Sequence, residues 1–417
     1  MRILSAPFEW MPRWRERYGD PMRLPTMNGN VYLTGRPELV KQIFAGKPNS
    51  YGPFATEAIS GFAGPGSLLV VSGDRHIRER KLLSAPFRGA RMRALGPAMA
   101  AAARRHFDAA ADGAPHRMAE LARDISMEAI IRTVFGVTED ARVAEFTRAL
   151  VHYLEVANPL FFFVKAAQTR WFPPWRNFER AFETLDALLQ DQIDLVRASG
   201  EEETILGAMI GARYDDGTAM EDVDIKSQLR TLLFAGHDTT AITATWAVDH
   251  IGRDAALTER LRAHVDGLPD EPEAYTDSDL LEAVWKETLR LHPVVTEALR
   301  TVTSAVKLGE TEVAAGDAVA ASISLVHFDP AIYPEPQRFD PDRFLEHSFA
   351  AHEYLPFGGG HRRCLGAAFA GYQLQVVLGI LLRHYEVTLL SSDPPKTVRR
   401  SVTLAPKDDV PIRLAKR

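Results

Sequence analysis

YLPFGGGHRRCLGAAFAGYQLQVVLGILLRHY, residues 354–385, runs a glycine-rich loop into an apolar helical stretch and sets the only cysteine of the 417-residue chain, Cys364, at the junction. Near a helix N-terminus a sulfur meets free backbone N–H groups and the positive end of the helix dipole. Both favour the thiolate, the form of cysteine that binds metal. Gly358, Gly359 and Gly360 let the backbone approach a flat ligand and aim N–H groups at the sulfur. Two alternatives share these features. A Gly-rich turn can cap an ordinary helix around a small buried thiol, and a Gly-rich loop can cradle phosphate. A phosphate loop should place Gly-Lys-Ser/Thr at the turn, which this one does not. One cysteine also excludes an intrachain disulfide and a multi-cysteine zinc site.

Around this loop the chain has the balance of a globular protein, with 46% hydrophobic and 25% charged residues. A net charge of −6 argues against a nucleic-acid partner, which would require a basic excess. The N-terminal MRILSAPFEWMPRWRERYGD has too short an apolar run for a signal peptide, and no later stretch reaches the roughly 18–20 apolar residues of a membrane span. The expectation is a cytoplasmic protein without a transmembrane segment.

Helical periodicity recurs from about Ser72 to Leu291. Strand-like pieces stand at Val31 to Thr34, near Ala305, and in RRSVTLAP and VPIRL of the tail. No repeat, linker or composition shift marks a second domain. The expected fold is therefore mainly α, one domain over residues 1–417 with a large helical part. A small β-rich subdomain is formed mainly by about residues 20–50, 300–326 and 386–415. HFDPAIYPEPQRFDPDRF, residues 327–344, cannot be continuous helix, because each proline removes a donor and restricts its predecessor.

A long helix is expected from about Glu221 to Ile251, apolar on nearly all sides after Leu232. Its centre, LLFAGHDTTAITATW, breaks local rules: Gly236 costs roughly 1 kcal/mol in a helix interior, and Asp238, Thr239 and Thr240 are poor helix formers. Such violations are expected at functional sites, although threonines back-bonding to carbonyls one turn earlier and a glycine allowing close packing would also account for them. Between Asp277 and Leu291 a shorter amphipathic helix is expected, with Thr276 as its N-cap and with Glu287 and Arg290 on one face.

Phe357, Gly358, Gly360, Arg362, Cys364 and Gly366 match the haem-binding signature of the cytochrome P-450 family at every fixed position, and the chain resembles its bacterial soluble haem-thiolate monooxygenases. The resemblance implies the P-450 fold and haem b with Cys364 as axial thiolate and iron ligand. It implies that the long helix is kinked across the distal haem face, where Thr239 would hydrogen-bond dioxygen and Asp238 would relay protons. KETLRLHP is similar to the family's Glu-x-x-Arg motif, so Glu287, Arg290 and Arg343 of FDPDRF would form a structural triad that locks the meander. His76 and Arg80, Arg300 and Arg362 fall where relatives hold the haem propionates, which suit the planar fork of arginine. Where many relatives carry His-Arg-Asp-Pro, this chain reads His327, Phe328, Asp329, Pro330.

No flavin or iron–sulfur module is legible, so electrons would come from a ferredoxin or flavodoxin with an NAD(P)H-dependent reductase. The basic residues Arg75, Arg78, Arg80, Lys81, Arg88, Arg91 and Arg93 would steer an acidic donor, or form an ordinary solvated face. By analogy with relatives the pocket would include Phe234, Val294, Val295 and Val402, in segments rich in aromatics such as Phe161, Phe162, Phe163, Trp171 and Phe172. That points to hydroxylation of a lipophilic terpenoid or steroid by a monomer. A fatty acid, a peroxygenase reaction and a non-catalytic haem-binding role are the alternatives. The aromatic run itself suits core, access channel or membrane contact.

Overall fold

The computed structural model describes residues 7–26, 29–157, 168, 169, 171–400 and 402–417; Phe161, Phe162 and Phe163 lie outside them. The chain forms two compact units, each assembled from separate stretches. One comprises Met1–Phe54, Ala103–Arg123 and Thr239–Arg417, the other Ala55–Ala102 and Asp124–Asp238.

Every named strand lies in the first unit. Its main sheet has the order Met22–Thr26, Gly29–Thr34, Ala318–Ser322, Glu297–Val302, Tyr51–Gly52, with the second and third strands parallel and the other pairs antiparallel. The central strand, AVAAS, is buried throughout, and its side chains alternate between faces as a pleat requires. Ala318 and Ala320 join a cluster with Met11, Met22, Leu33 and Leu325, while Val319 joins one with Leu39, Ile43, Tyr51 and Val302. Small residues suit a strand covered on both faces. The tail forms a hairpin, Thr397–Arg400 with Thr403–Pro406, and a last strand, Pro411–Lys416, that pairs with Tyr385–Leu389 and Pro115–Arg117.

The helix after the cysteine loop, Ala367–His384, is buried over almost its whole length. Its Gln375 amide donates to the carbonyls of Tyr275, Thr276 and Ser278 at 3.2, 3.0 and 3.1 Å, which satisfies the polar ends of two neighbouring elements. The Glu-x-x-Arg helix spans Asp279–Leu291 and is capped by Ser278, whose hydroxyl accepts from the Leu281 N–H. Thr276 is therefore not the cap: it ends a separate short helix, Pro272–Thr276.

The second unit is built on helices. Asp140–Val156 packs along Pro173–Ser199, with the Tyr153 and Phe178 rings 5.7 Å apart, and the buried Tyr153 hydroxyl donates to the Phe62 carbonyl. Asp186 accepts from both Lys226 and Arg230 at 2.7 Å, which keeps the cationic side chains of an apolar helix paired.

Two histidines share a proton in the interior of the first unit. His250 Nε2 lies 2.8 Å from His292 Nε2; His292 stacks on Trp246 at 3.7 Å and His250 on Phe339 at 4.1 Å. Burial, reinforced by Arg253 and Arg290, pulls His250 down to about 4, and burial drives His292 well below its ordinary value. When the pH falls below about 6.5 the unfolded chain takes up protons that the folded pair refuses, so stability is full above that pH and declines down to about 4. His250 should contribute a loss on the order of 1 kcal/mol per pH unit across this window. Urea denaturation at pH 7 and pH 5 checks this, and His250→Phe should flatten the slope.

Candidate functional site

The glycine loop reaches Cys364 through two tight turns. Gly358 and Gly360 have φ of +63° and +64°, a region open to glycine at no steric cost, and a Cβ on Gly360 would collide with the Phe44 backbone carbonyl. The Gly358 amide donates to the Leu355 carbonyl at 2.8 Å, and the Cys364 amide donates to the Phe357 carbonyl at 2.9 Å. Cys364 itself is exposed, two residues before the Gly366 N-cap of the Ala367–His384 helix. The Phe357 ring meets Trp285 edge-on at 6.1 Å. Arg300, buried on its strand, donates from Nη2 to the Gly359 carbonyl at 3.1 Å, which joins the sheet to the loop and leaves a cation beside it. Arg362 is half-buried in the loop.

Behind the loop stands the triad. Arg290 grips Glu287 bidentately, Nε to Oε2 at 2.6 Å and Nη2 to Oε1 at 2.8 Å, with both side chains fully buried. Its remaining N–H groups go to the carbonyls of His327, Pro336 and Arg338. Arg343 completes the set with Nε 3.4 Å from Glu287 Oε1 and Nη2 donating to the Glu335 carbonyl, and the Asp340 amide also donates to Glu287. Burial pushes the Glu287 carboxyl above its usual value, and the Arg290 guanidinium pulls it back. The proline-rich segment is therefore an ordered meander whose carbonyls face one guanidinium.

In the second unit, His76 is buried and Arg80 half-buried on the helix Gly73–Ser84, four residues apart on one face. Three of the basic residues on this helix are engaged by carboxylates: Arg75 with Asp224 at 2.9 Å, Arg78 with Asp216 at 3.6 Å, and Lys81 with Asp215 at 2.6 Å. Arg78 also lies over the Tyr214 ring at 4.0 Å, and the Tyr214 hydroxyl donates to the buried Glu79 at 2.9 Å. Arg88, Arg91 and Arg93 are exposed. Arg75, Arg78 and Lys81 are thus exposed but paired, with carboxylates more than 120 residues away in sequence.

The long helix runs unbroken from Asp222 to Arg253. Asp238 and Thr239 are half-buried on it, Thr243 Oγ1 donates to the Thr239 carbonyl, and a Cβ on Gly236 would press on Ile130 at 3.1 Å. Of the expected pocket residues, Phe234 is exposed, with its ring edge-on to Phe62 at 4.8 Å. Val294 is buried, while Val295 and Val402 are exposed. The Leu404 amide donates to the Val294 carbonyl at 2.8 Å, which brings the tail hairpin with Val402 to the segment holding Val294 and Val295.

The family model described as cytochrome P450 matches residues 5–412. This chain belongs to the cytochrome P450 family. A protein of Mycobacterium tuberculosis named cytochrome P450 135B1 is 32% identical over 431 residues, covering 99% of this chain and 88% of the relative. One named cytochrome P450 135A1, from the same species, is 31% identical, covering 97% and 90%. Among solved structures, a retinoic-acid-bound cyanobacterial CYP120A1 superposes with a TM-score of 0.85 at 22% identity, over 99% of this chain and 97% of that one. P450s are monooxygenases, oxidoreductases that bind haem through an axial cysteine thiolate.

The residues present suit that cofactor: the chain has one thiol, exposed at a helix N-terminal approach, and a buried guanidinium fixed to the same loop. Two contacts could not be read from the sequence motifs: that of Glu79 with Tyr214, and those of His327, which the motif flagged by residue type but whose ring bonds to the triad helix and the cysteine loop it did not indicate. Replacing Glu287 by Ala should leave Arg290 charged, buried and unpaired, at a cost of about 3–5 kcal/mol. The expected result is protein without bound haem, checked by comparing haem content with polypeptide concentration.

Proposed function

We propose that the chain is a cytoplasmic, monomeric hydroxylase of lipophilic molecules of terpenoid or steroid size, with Cys364 as the sulfur ligand of haem b and electrons drawn from a separate ferredoxin or flavodoxin and its NAD(P)H-dependent reductase. One observation carries it. The sole thiol is exposed at the start of a buried helix, on a loop whose turns require glycine and whose backbone is tied to a buried cation and, through the His327 ring, to a buried triad.

When bound, the haem supplies dioxygen activation and oxygen insertion, with the thiolate donating electron density as in P450s generally. The protein's part is placement and proton handling. The Phe357 carbonyl holds the Cys364 amide, so the backbone that carries the sulfur is fixed. Arg300 and Arg362 offer guanidinium forks for propionates beside the loop; His76 and Arg80 take the same role by the motif resemblance. Thr239 would supply a proton through its hydroxyl when the haem is bound, and the half-buried Asp238 carboxyl would resupply it from solvent. Val294, Val295 and Val402 stand on segments that the Leu404 to Val294 hydrogen bond joins, and their apolar side chains favour a substrate without charge. Among the described residues no helix is long and apolar enough to cross a membrane. The exposed Arg88, Arg91 and Arg93 suit an acidic electron donor.

The first test is the absorption spectrum of the dithionite-reduced protein under carbon monoxide. A strongly red-shifted Soret band that disappears in Cys364→Ala supports the ligand; a band typical of histidine ligation overturns it. Thr239→Ala should keep that band yet uncouple reductant consumption from product by about 10-fold or more. Unchanged coupling would remove Thr239 from proton delivery.

A further inference from the structure

We propose that His327 is a positioning residue for the haem-ligating cysteine: held as the neutral Nδ1–H tautomer, its ring carries the geometry of the Glu287–Arg290 pair into the Cys364 loop. This rests on Cys364 being the ligand.

His327 ends the short helix Ile323–His327 and is fully buried. Its Nδ1 lies 3.1 Å from the Arg290 carbonyl, and its Nε2 lies 2.9 Å from the Leu355 amide. These partners leave one protonation pattern. A carbonyl only accepts and a backbone N–H only donates, so Nδ1 bears the proton and Nε2 accepts. The ring stacks on Tyr354 at 5.6 Å with 12° between planes and meets Tyr333 edge-on at 6.0 Å. Burial and the neighbouring Arg290 pull its titration down to about 3, in keeping with a ring that stays neutral.

From Leu355 the path to the sulfur is short. Leu355 is fully buried, its carbonyl accepts the Gly358 amide, and that turn presents the Phe357 carbonyl to the Cys364 amide. Arg290 meanwhile donates to the carbonyl of His327 itself, so the two residues grip each other in both directions. Without an acceptor at Nε2, the buried Leu355 N–H has no partner and the turn can shift. Loop glycines with positive φ have little side-chain packing to resist that shift.

Three substitutions separate this role from packing. His327→Phe keeps a ring and loses both bonds. His327→Asn places an N–H at the Nδ1 position and nothing at Nε2, whereas His327→Gln places an acceptor near Nε2. In the holoproteins, amide hydrogen exchange at Leu355 should rise about 10- to 100-fold in the Phe and Asn proteins and stay near the parent rate in the Gln protein. The thiolate-type carbon monoxide band should weaken in the same order. Nitrogen-15 spectra of the unsubstituted protein should show Nδ1 protonated and Nε2 bare. The opposite tautomer overturns the proposal, as does an Asn protein matching the parent while Gln matches Phe, or faster exchange with an unchanged band. Should the Phe protein not accumulate, the Asn–Gln pair and the parent's tautomer decide. Absence of the thiolate band in the parent would instead sink the Cys364 assignment, whereas exchange at Leu355 and the tautomer are read whatever the ligand.

Discussion

A carboxylate and a guanidinium locked together without water set the terms for the first unit. Glu287 and Arg290 are both fully buried, an arrangement that costs desolvation on each side and holds only if every donor and acceptor is matched. The protein matches them by wrapping backbone around the pair: three carbonyls from the meander and His327 on Arg290, and the Asp340 amide with the Arg343 guanidinium on Glu287. The proline-rich meander closes short turns of its own, such as Tyr333 N–H to the Asp329 carbonyl, and two of its carbonyls, those of Pro336 and Arg338, anchor it to this charge pair.

That dependence extends to the chemistry. A thiolate ligand is useful only if its sulfur stays in one place, and a loop chosen for glycine's freedom cannot hold it there alone. Rigidity is borrowed from Arg300 on the sheet, from Phe357 against Trp285, and from the His327 ring behind Leu355. The helix Gly73–Ser84 in the second unit shows the same economy. The Tyr214 hydroxyl meets the buried Glu79, and aspartates pair with the exposed Arg75, Arg78 and Lys81.

The family and its candidate site residues were legible in one dimension because they depend on residue types at fixed local spacing. A lone cysteine after a glycine loop, Glu-x-x-Arg on a helix and an acid–threonine pair inside an apolar helix each carry their reason within a turn or two of backbone. The long helix, the tail strands and the non-helical meander were equally open to reading, since period and proline act locally. Ser278, not Thr276, capping the triad helix shows the limit of that approach: both residues can cap, and the choice fell to where the preceding short helix ends.

Tertiary structure alone decided the remainder. His327 and Leu355 are 28 residues apart, Arg300 and Gly359 are 59 apart, and Glu79 and Tyr214 are 135 apart, so no local pattern links them. Which basic side chains are paired, which histidines stay neutral, and which carbonyl a guanidinium finds are consequences of burial. Buried polar groups must be satisfied by whatever the fold brings near. Sequence alone therefore named the candidate reactive groups, because their identity is local chemistry; the fold determined their partners, because partnership is set by proximity across long loops and by the cost of leaving a buried charge or hydrogen bond unmade.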